Sequence, residues 1–186
     1  MRRLLLTCLL TACGTAHASP ADAFWRELSA LCGKSFAGRL VQEPAGDNGF
    51  AGKALVMHVR DCGADRIRVP FAVGDDLSRT WVLSRRGDRI ELKHDHRHAD
   101  GTPEEVTMYG GTTTNAGRAD AQYFPADEDT RRVIEAAFSN VWTLQLTPGQ
   151  HLRYGVQRLG TERVFLVEFD LGTEVAAPPA PWGWRD

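Results

Sequence analysis

The sequence predicts a mainly-β fold: a single antiparallel β-barrel of about ten short strands, with an N-terminal helix and one inserted helix. Three observations predict it. Apolar and polar side chains alternate with a period of two, as in Ile67, Val69 and Phe71 against Arg66 and Arg68. The same alternation sets Phe165, Val167, Phe169 and Leu171 against Glu168 and Asp170. Glycine, Asp and Asn punctuate the gaps between such runs, as in Gly46-Asp47-Asn48-Gly49, Gly74-Asp75-Asp76 and Pro148-Gly149. So many short strands in 186 residues would expose unpaired edges unless the sheet closes on itself. A β-sandwich is the alternative fold that the same pattern allows.

The chain opens on a leader. Arg2 and Arg3 precede an apolar run over 4–10, and Ala16 and Ala18 place small residues where a signal peptidase cuts, giving a signal peptide over 1–18. An overlapping reading is also open. Leu10-Thr11-Ala12-Cys13-Gly14 resembles the lipobox of bacterial lipoproteins, which would end the leader at 12 and make Cys13 the lipid-carrying residue. Both readings predict export to the periplasm or the outer membrane. The apolar run is too short to span a bilayer, so a lipid on Cys13 is the only membrane attachment expected.

A helix follows over 21–31, with Pro20 and Asp22 suited to its first turn, Phe24, Leu28 and Leu31 on one stripe, and Gly33 as its stop. Strands are predicted over 36–41, 54–60, 66–71, 80–86, 89–98, 105–112, 121–124, 142–147, 152–158 and 163–171. A helix is predicted over 127–138, with acids in its first turn and Val133, Ile134, Ala137 and Phe138 to bury. The barrel domain therefore covers 19–175. A Pro- and Trp-rich tail over 176–186, ending in Trp182-Gly183-Trp184, is expected to pack on it. Past the leader only Cys32 and Cys62 remain, an even pair that predicts a disulfide in an oxidising compartment. The formal net charge of −2, which becomes more negative when Arg2 and Arg3 leave, argues against a nucleic-acid partner.

The chemistry concentrates in one hairpin over 78–101, turned at Arg86-Gly87-Asp88. In its second arm Ile90, Leu92, His94, His96 and His98 share one face, while Glu91, Lys93, Asp95 and Arg97 share the other and should meet water. The histidines should continue the core face towards one end of the barrel. They are candidates for a divalent metal such as zinc. Residues two apart on a strand lie about 7 Å apart and can share an ion, but residues four apart lie about 13–14 Å apart and cannot. The metal would take two of His94, His96 and His98 and need a ligand from another strand, with His58 the first choice. The charged residues between the histidines do not suit a histidine-triad nucleotide hydrolase, whose intervening residues are hydrophobic. Hydrogen-bonding histidines at a barrel mouth are the structural alternative.

Arg66, Arg68 and Arg79 are candidates to hold an anionic ligand, although alternating arginines opposite an apolar face also mark a solvated surface. Trp81, Trp142, Tyr154 and Phe165 line either a pocket or simply the core. Gly110-Gly111 lacks the lysine and spacing of a phosphate loop and reads as a bend or bulge in a strand.

The helix followed by Gly33-Lys34-Ser35-Phe36 resembles the entry to calycin-type barrels, the lipocalin and fatty-acid-binder group, with Phe36 standing where those families usually carry Trp. Ser78-Arg79-Thr80-Trp81, the run 93–101, Tyr109-Gly110-Gly111, Phe124-Pro125-Ala126-Asp127, Asn140-Val141-Trp142 and the run 178–183 together resemble a group of small exported bacterial proteins of unassigned function. That resemblance implies export and a single domain, and brings no activity. The expected function is small-molecule binding at the open end of the barrel by Arg79, Trp81, His94, His96, His98 and Tyr109. The rivals are a metal-dependent hydrolase and an envelope scaffold that docks a protein partner.

Overall fold

Ser19 begins the fold by capping a helix. Its hydroxyl accepts from the Asp22 backbone N–H while the Asp22 carboxylate reaches back to the Ser19 N–H, a reciprocal capping box ahead of helix α1 (Pro20–Ser29). The computed structural model describes residues 18–44, 46 and 49–184. The expected leader, Cys13 included, lies up to His17 outside the described residues, as do Asp47 and Asn48 of the glycine-flanked turn.

The strands are β1 (Ser35–Gln42), β2 (Leu55–His58), β3 (Asp61–Cys62), β4 (Arg66–Val73), β5 (Asp76–Arg86), β6 (Arg89–His96), β7 (Tyr109–Thr112), β8 (Ala121–Pro125), β9 (Asn140–Thr147), β10 (His151–Arg158) and β11 (Val164–Glu174). Helix α2 (Glu128–Val133) and a 3-10 turn (Glu135–Ala137) stand between β8 and β9. The sheet runs β7-β6-β5-β4-β2-β1-β11-β10-β9-β8, every pairing antiparallel, with the short β3 attached to β4. Each strand thus lies beside its neighbour in sequence, and the pairing of β1 with β11 curls the ribbon into the expected barrel.

The two free edges, β7 and β8, nearly close the barrel through a glycine seam. A Cβ on Gly111 would stand 1.7 Å from the Pro125 carbonyl oxygen, so only glycine permits this approach. Gly110, at φ 149°, also has no room for a Cβ, which would meet the Leu92 carbonyl at 2.0 Å. Its backbone carbonyl accepts from Asp127 N–H and from the Thr130 hydroxyl, which in turn accepts from Gly110 N–H. The first turn of α2 is thereby tied to the seam.

Alternation fills the interior. Along β9, Asn140, Trp142, Leu144 and Leu146 are buried and the residues between them are not. Phe71, Leu83, Leu92, Phe124, Val167 and Phe169 complete a core in which each side chain stabilises by about 1.5–3 kcal/mol on burial. Phe24, Trp25 and Leu28 of α1 join that core at the end of the barrel where β5 finishes and β6 begins, and Asp22 pairs with Arg85 there. Cys32 and Cys62 form the expected disulfide, with Cα atoms 6.2 Å apart, tying the exit of α1 to β3. In the chain-entropy model a loop of this length adds about 3–4 kcal/mol.

Several expectations need correction. The strand expected over 54–60 stops at His58, and a separate two-residue strand, β3, follows at Asp61–Cys62 and pairs farther back along β4. The strand expected from 105 starts only at Tyr109, preceded by Met108 at φ 55°. The helix over 127–138 stops at Val133, where Ile134 leaves helical geometry, and Val133 and Phe138 are exposed, not buried. Lys93 does not face water: it is buried, and its ammonium pairs with Asp127 at the start of α2. The tail packs across the outside of β4 and β5, with Trp182 N–H donating to the Leu77 carbonyl and the Trp184 ring 4.2 Å from the Arg68 guanidinium.

Candidate functional site

Register brings the site together. β5 and β6 set Trp81 opposite His94 and Arg79 opposite His96, and β7 sets Tyr109 opposite His94. The inward face of β6, apolar at Ile90 and Leu92, becomes polar at His94 and His96 as the strand nears the end remote from α1. A cavity of about 320 Å³ opens there. Its walls are aromatic, chiefly Phe71, Trp81, Trp142, Tyr154 and Phe165. Trp81 stacks on Tyr154 at 4.3 Å between centroids, and Phe50, from the segment before β2, packs on Phe165 at 4.7 Å. Ile134 and Ala137, from the segment after α2, close another side.

His94 is fully committed. Its Nδ1 lies 3.1 Å from the Tyr109 carbonyl, which can only accept, so Nδ1 carries the proton. Its Nε2 then accepts from the Tyr154 hydroxyl at 2.7 Å. The result is a directed chain from Tyr154 through His94 to the backbone of β7. Burial depresses His94 to a pKa of about 3, with the nearby His96 and Lys93 adding to the effect and the Tyr109 bond opposing it. His94 is therefore a neutral, oriented hydrogen-bonding group. Burial likewise raises Tyr154 well above the usual tyrosine range and Tyr109 to about 12.

Tyr109 also links the two histidines. Its ring stacks on His94 at 4.7 Å and its hydroxyl lies 3.0 Å from His96 Nε2. His96 is held below the usual histidine range by burial first and then by the Arg79 charge, with Glu104, Asp76 and Asp95 pulling the other way. Arg79 donates to Asp76 at 2.5 Å and lies 5.4 Å from the Phe50 ring. At the mouth, Arg158 donates from Nε to the Asn140 side-chain oxygen at 3.1 Å, and Arg163 borders the opening from the start of β11.

Of the residues named from sequence, Arg79, Trp81, His94, His96 and Tyr109 all border this cavity. His98 lies beyond the end of β6 and is exposed. His58 pairs with Ser35 at the α1 end, the opposite end of the barrel from His94 and His96. Among the described residues no group of three or more His, Cys, Asp or Glu side chains is placed to hold a metal ion. Arg66 is exposed and Arg68 half-buried, pairing with Asp61 under the Trp184 ring, and neither borders the cavity. Cavity residues not selected from the sequence include Phe50, Phe71, Ile134, Val156, Arg158 and Arg163. Arg158 was within reach, since it shares the period-two face of Tyr154 and Val156 on β10. Arg163 directly precedes β11, in phase with Phe165 and Val167, so the period of two gives its face but not the end of the barrel at which it stands. Comparison with protein-family models gives no match, and comparison with curated proteins gives none.

Proposed function

We propose that this protein is an exported small-molecule-binding β-barrel that takes a compact aromatic or otherwise apolar ligand into its open end. One observation carries the reading: an aromatic cavity of about 320 Å³ into which a few oriented polar groups converge. Ligand sites are typically concave and mostly apolar, with few polar anchors and volumes from about 300 Å³ upward. The size suits a molecule of one to three rings. The polar side supports recognition of a hydrogen-bonding group, because His96 and Tyr109 can exchange their mutual bond for one to a ligand. The leader and the Cys32–Cys62 disulfide support an oxidising, extracytoplasmic setting.

The test is a fluorescence titration with N-phenyl-1-naphthylamine, whose emission rises in apolar surroundings. Wild type is expected to bind it saturably. Val156→Trp, which fills the cavity from its half-buried wall, is expected to lose binding while keeping the far-UV circular dichroism of the barrel. Equal affinity in the two proteins would show that the cavity is not the site.

A further inference from the structure

We infer that the ligand is an organic anion, bound with its apolar body inside the barrel and its oxyanion at the mouth on Arg158 and Arg163; this rests on the cavity being a ligand site. Among the described residues the cavity is bordered by three arginines, Arg79, Arg158 and Arg163, and by no Asp or Glu. They are not equivalent. Arg79 already has a carboxylate partner, Asp76, at 2.5 Å. Among the described residues Arg158 and Arg163 make no ion pair, and the one side-chain partner of Arg158 is the neutral amide of Asn140. Two uncompensated guanidinium groups therefore border the same opening. They are held near each other by the β10–β11 hairpin, in which Arg158 N–H donates to the Arg163 carbonyl at 3.0 Å.

The interior dictates the orientation. His94 has both ring nitrogens engaged, and the Tyr154 hydroxyl donates to His94. The aromatic floor offers no free cation, so a carboxylate or sulfonate buried there would lose its hydration without a charged partner. At the mouth the same group keeps part of its hydration and gains charge-assisted bonds from planar forks suited to oxyanions. A flat apolar acid satisfies both halves of the site, with rings among Trp81, Trp142 and Phe165 and the oxyanion outermost.

Two probes with the same aromatic body separate this from the parent reading: 8-anilinonaphthalene-1-sulfonate, an anion, and N-phenyl-1-naphthylamine, which is neutral. Wild type is expected to prefer the sulfonate. Arg158→Gln/Arg163→Ala is expected to weaken the sulfonate about tenfold and leave the amine within about twofold. Arg163→Ala alone, at an exposed side chain without a bond of its own, is expected to weaken the sulfonate about threefold, and Arg163→Lys to restore part of that loss. Unchanged sulfonate affinity in both arginine variants overturns the inference while leaving the cavity reading intact, provided Val156→Trp still abolishes amine binding. Equal loss of both probes in the double variant reports a damaged cavity, and Arg163→Ala then decides by whether it alone lowers the sulfonate preference. Failure of wild type to bind either probe overturns both readings.

Discussion

The two ends of the barrel use the same strands for opposite purposes. At one end, α1 lays Phe24, Trp25 and Leu28 onto the core, the Cys32–Cys62 disulfide ties its exit to β3, and Asp22 pairs with Arg85. At the other end only Ile134 and Ala137, from the segment after α2, border the opening, and among the described residues no helix lays large side chains onto the core there. β5, β6, β9 and β10 continue inward with Trp81, His94, Trp142 and Tyr154, and a cavity is left between them. The alternation that builds a solid core at one end builds a lined chamber at the other. The difference lies in what covers the end and in how many polar atoms the inward face must satisfy. Every nitrogen of His94 is satisfied, so this end is organised around hydrogen bonds where the other is organised around apolar contact.

That contrast can be broken by mutation. Phe24→Ala, at a fully buried position under α1, should destabilise by about 3–5 kcal/mol in urea denaturation, because it removes a large side chain with little room to collapse. A value below about 1 kcal/mol would mean that α1 is not part of the cooperative unit.

A smaller, pH-dependent effect belongs to the open end. His94 has a depressed folded-state pKa of about 3, so the unfolded chain binds its proton first as pH falls. The stability its neutral form contributes is complete above about pH 6.5, the usual histidine value, and is lost as pH drops towards 3. The limiting slope is about 1.4 kcal/mol per pH unit for one histidine. His96 and His58 shift in the same direction and add to it. Urea midpoints at pH 7, 6 and 5 should therefore fall for wild type and fall less steeply for His94→Gln. Parallel lines would remove His94 as the source.

The smallest effect expected is at His98. His98→Ala should leave stability within about 0.5 kcal/mol of wild type and leave probe binding unchanged, because the side chain is exposed beyond β6. A clear loss of binding would extend the site past the strand end and redraw the boundary between chamber and surface.

Much of this was legible from local pattern. Period-two alternation identifies the inward residues of β4, β6 and β11, Pro20 and Asp22 mark the first turn of α1, and cysteine parity names the disulfide. Of three histidines on one predicted face, two are inside. The third fails because β6 ends at His96, where the chain turns to pair Arg97 with Pro103. Lys93 shows the other limit. Its place on a charged face predicts exposure, but α2 crosses that face and brings Asp127 to it from thirty-four residues away.

What the sequence alone determined is therefore the class of fold, the faces of its strands, the covalent tie and the five side chains Arg79, Trp81, His94, His96 and Tyr109 that meet at the cavity. Alternation, first-turn residues and parity are properties of residues close in the chain or of simple counts, so they need no partner to be read. Only the tertiary structure decided that His58 sits at the far end of the barrel, that Gly110 and Gly111 form the closing seam, and that Arg158 and Arg163 stand at the mouth. Each of these depends on strand register and on which loop covers which end. Those are set by contacts between segments remote in sequence, and no local period encodes them.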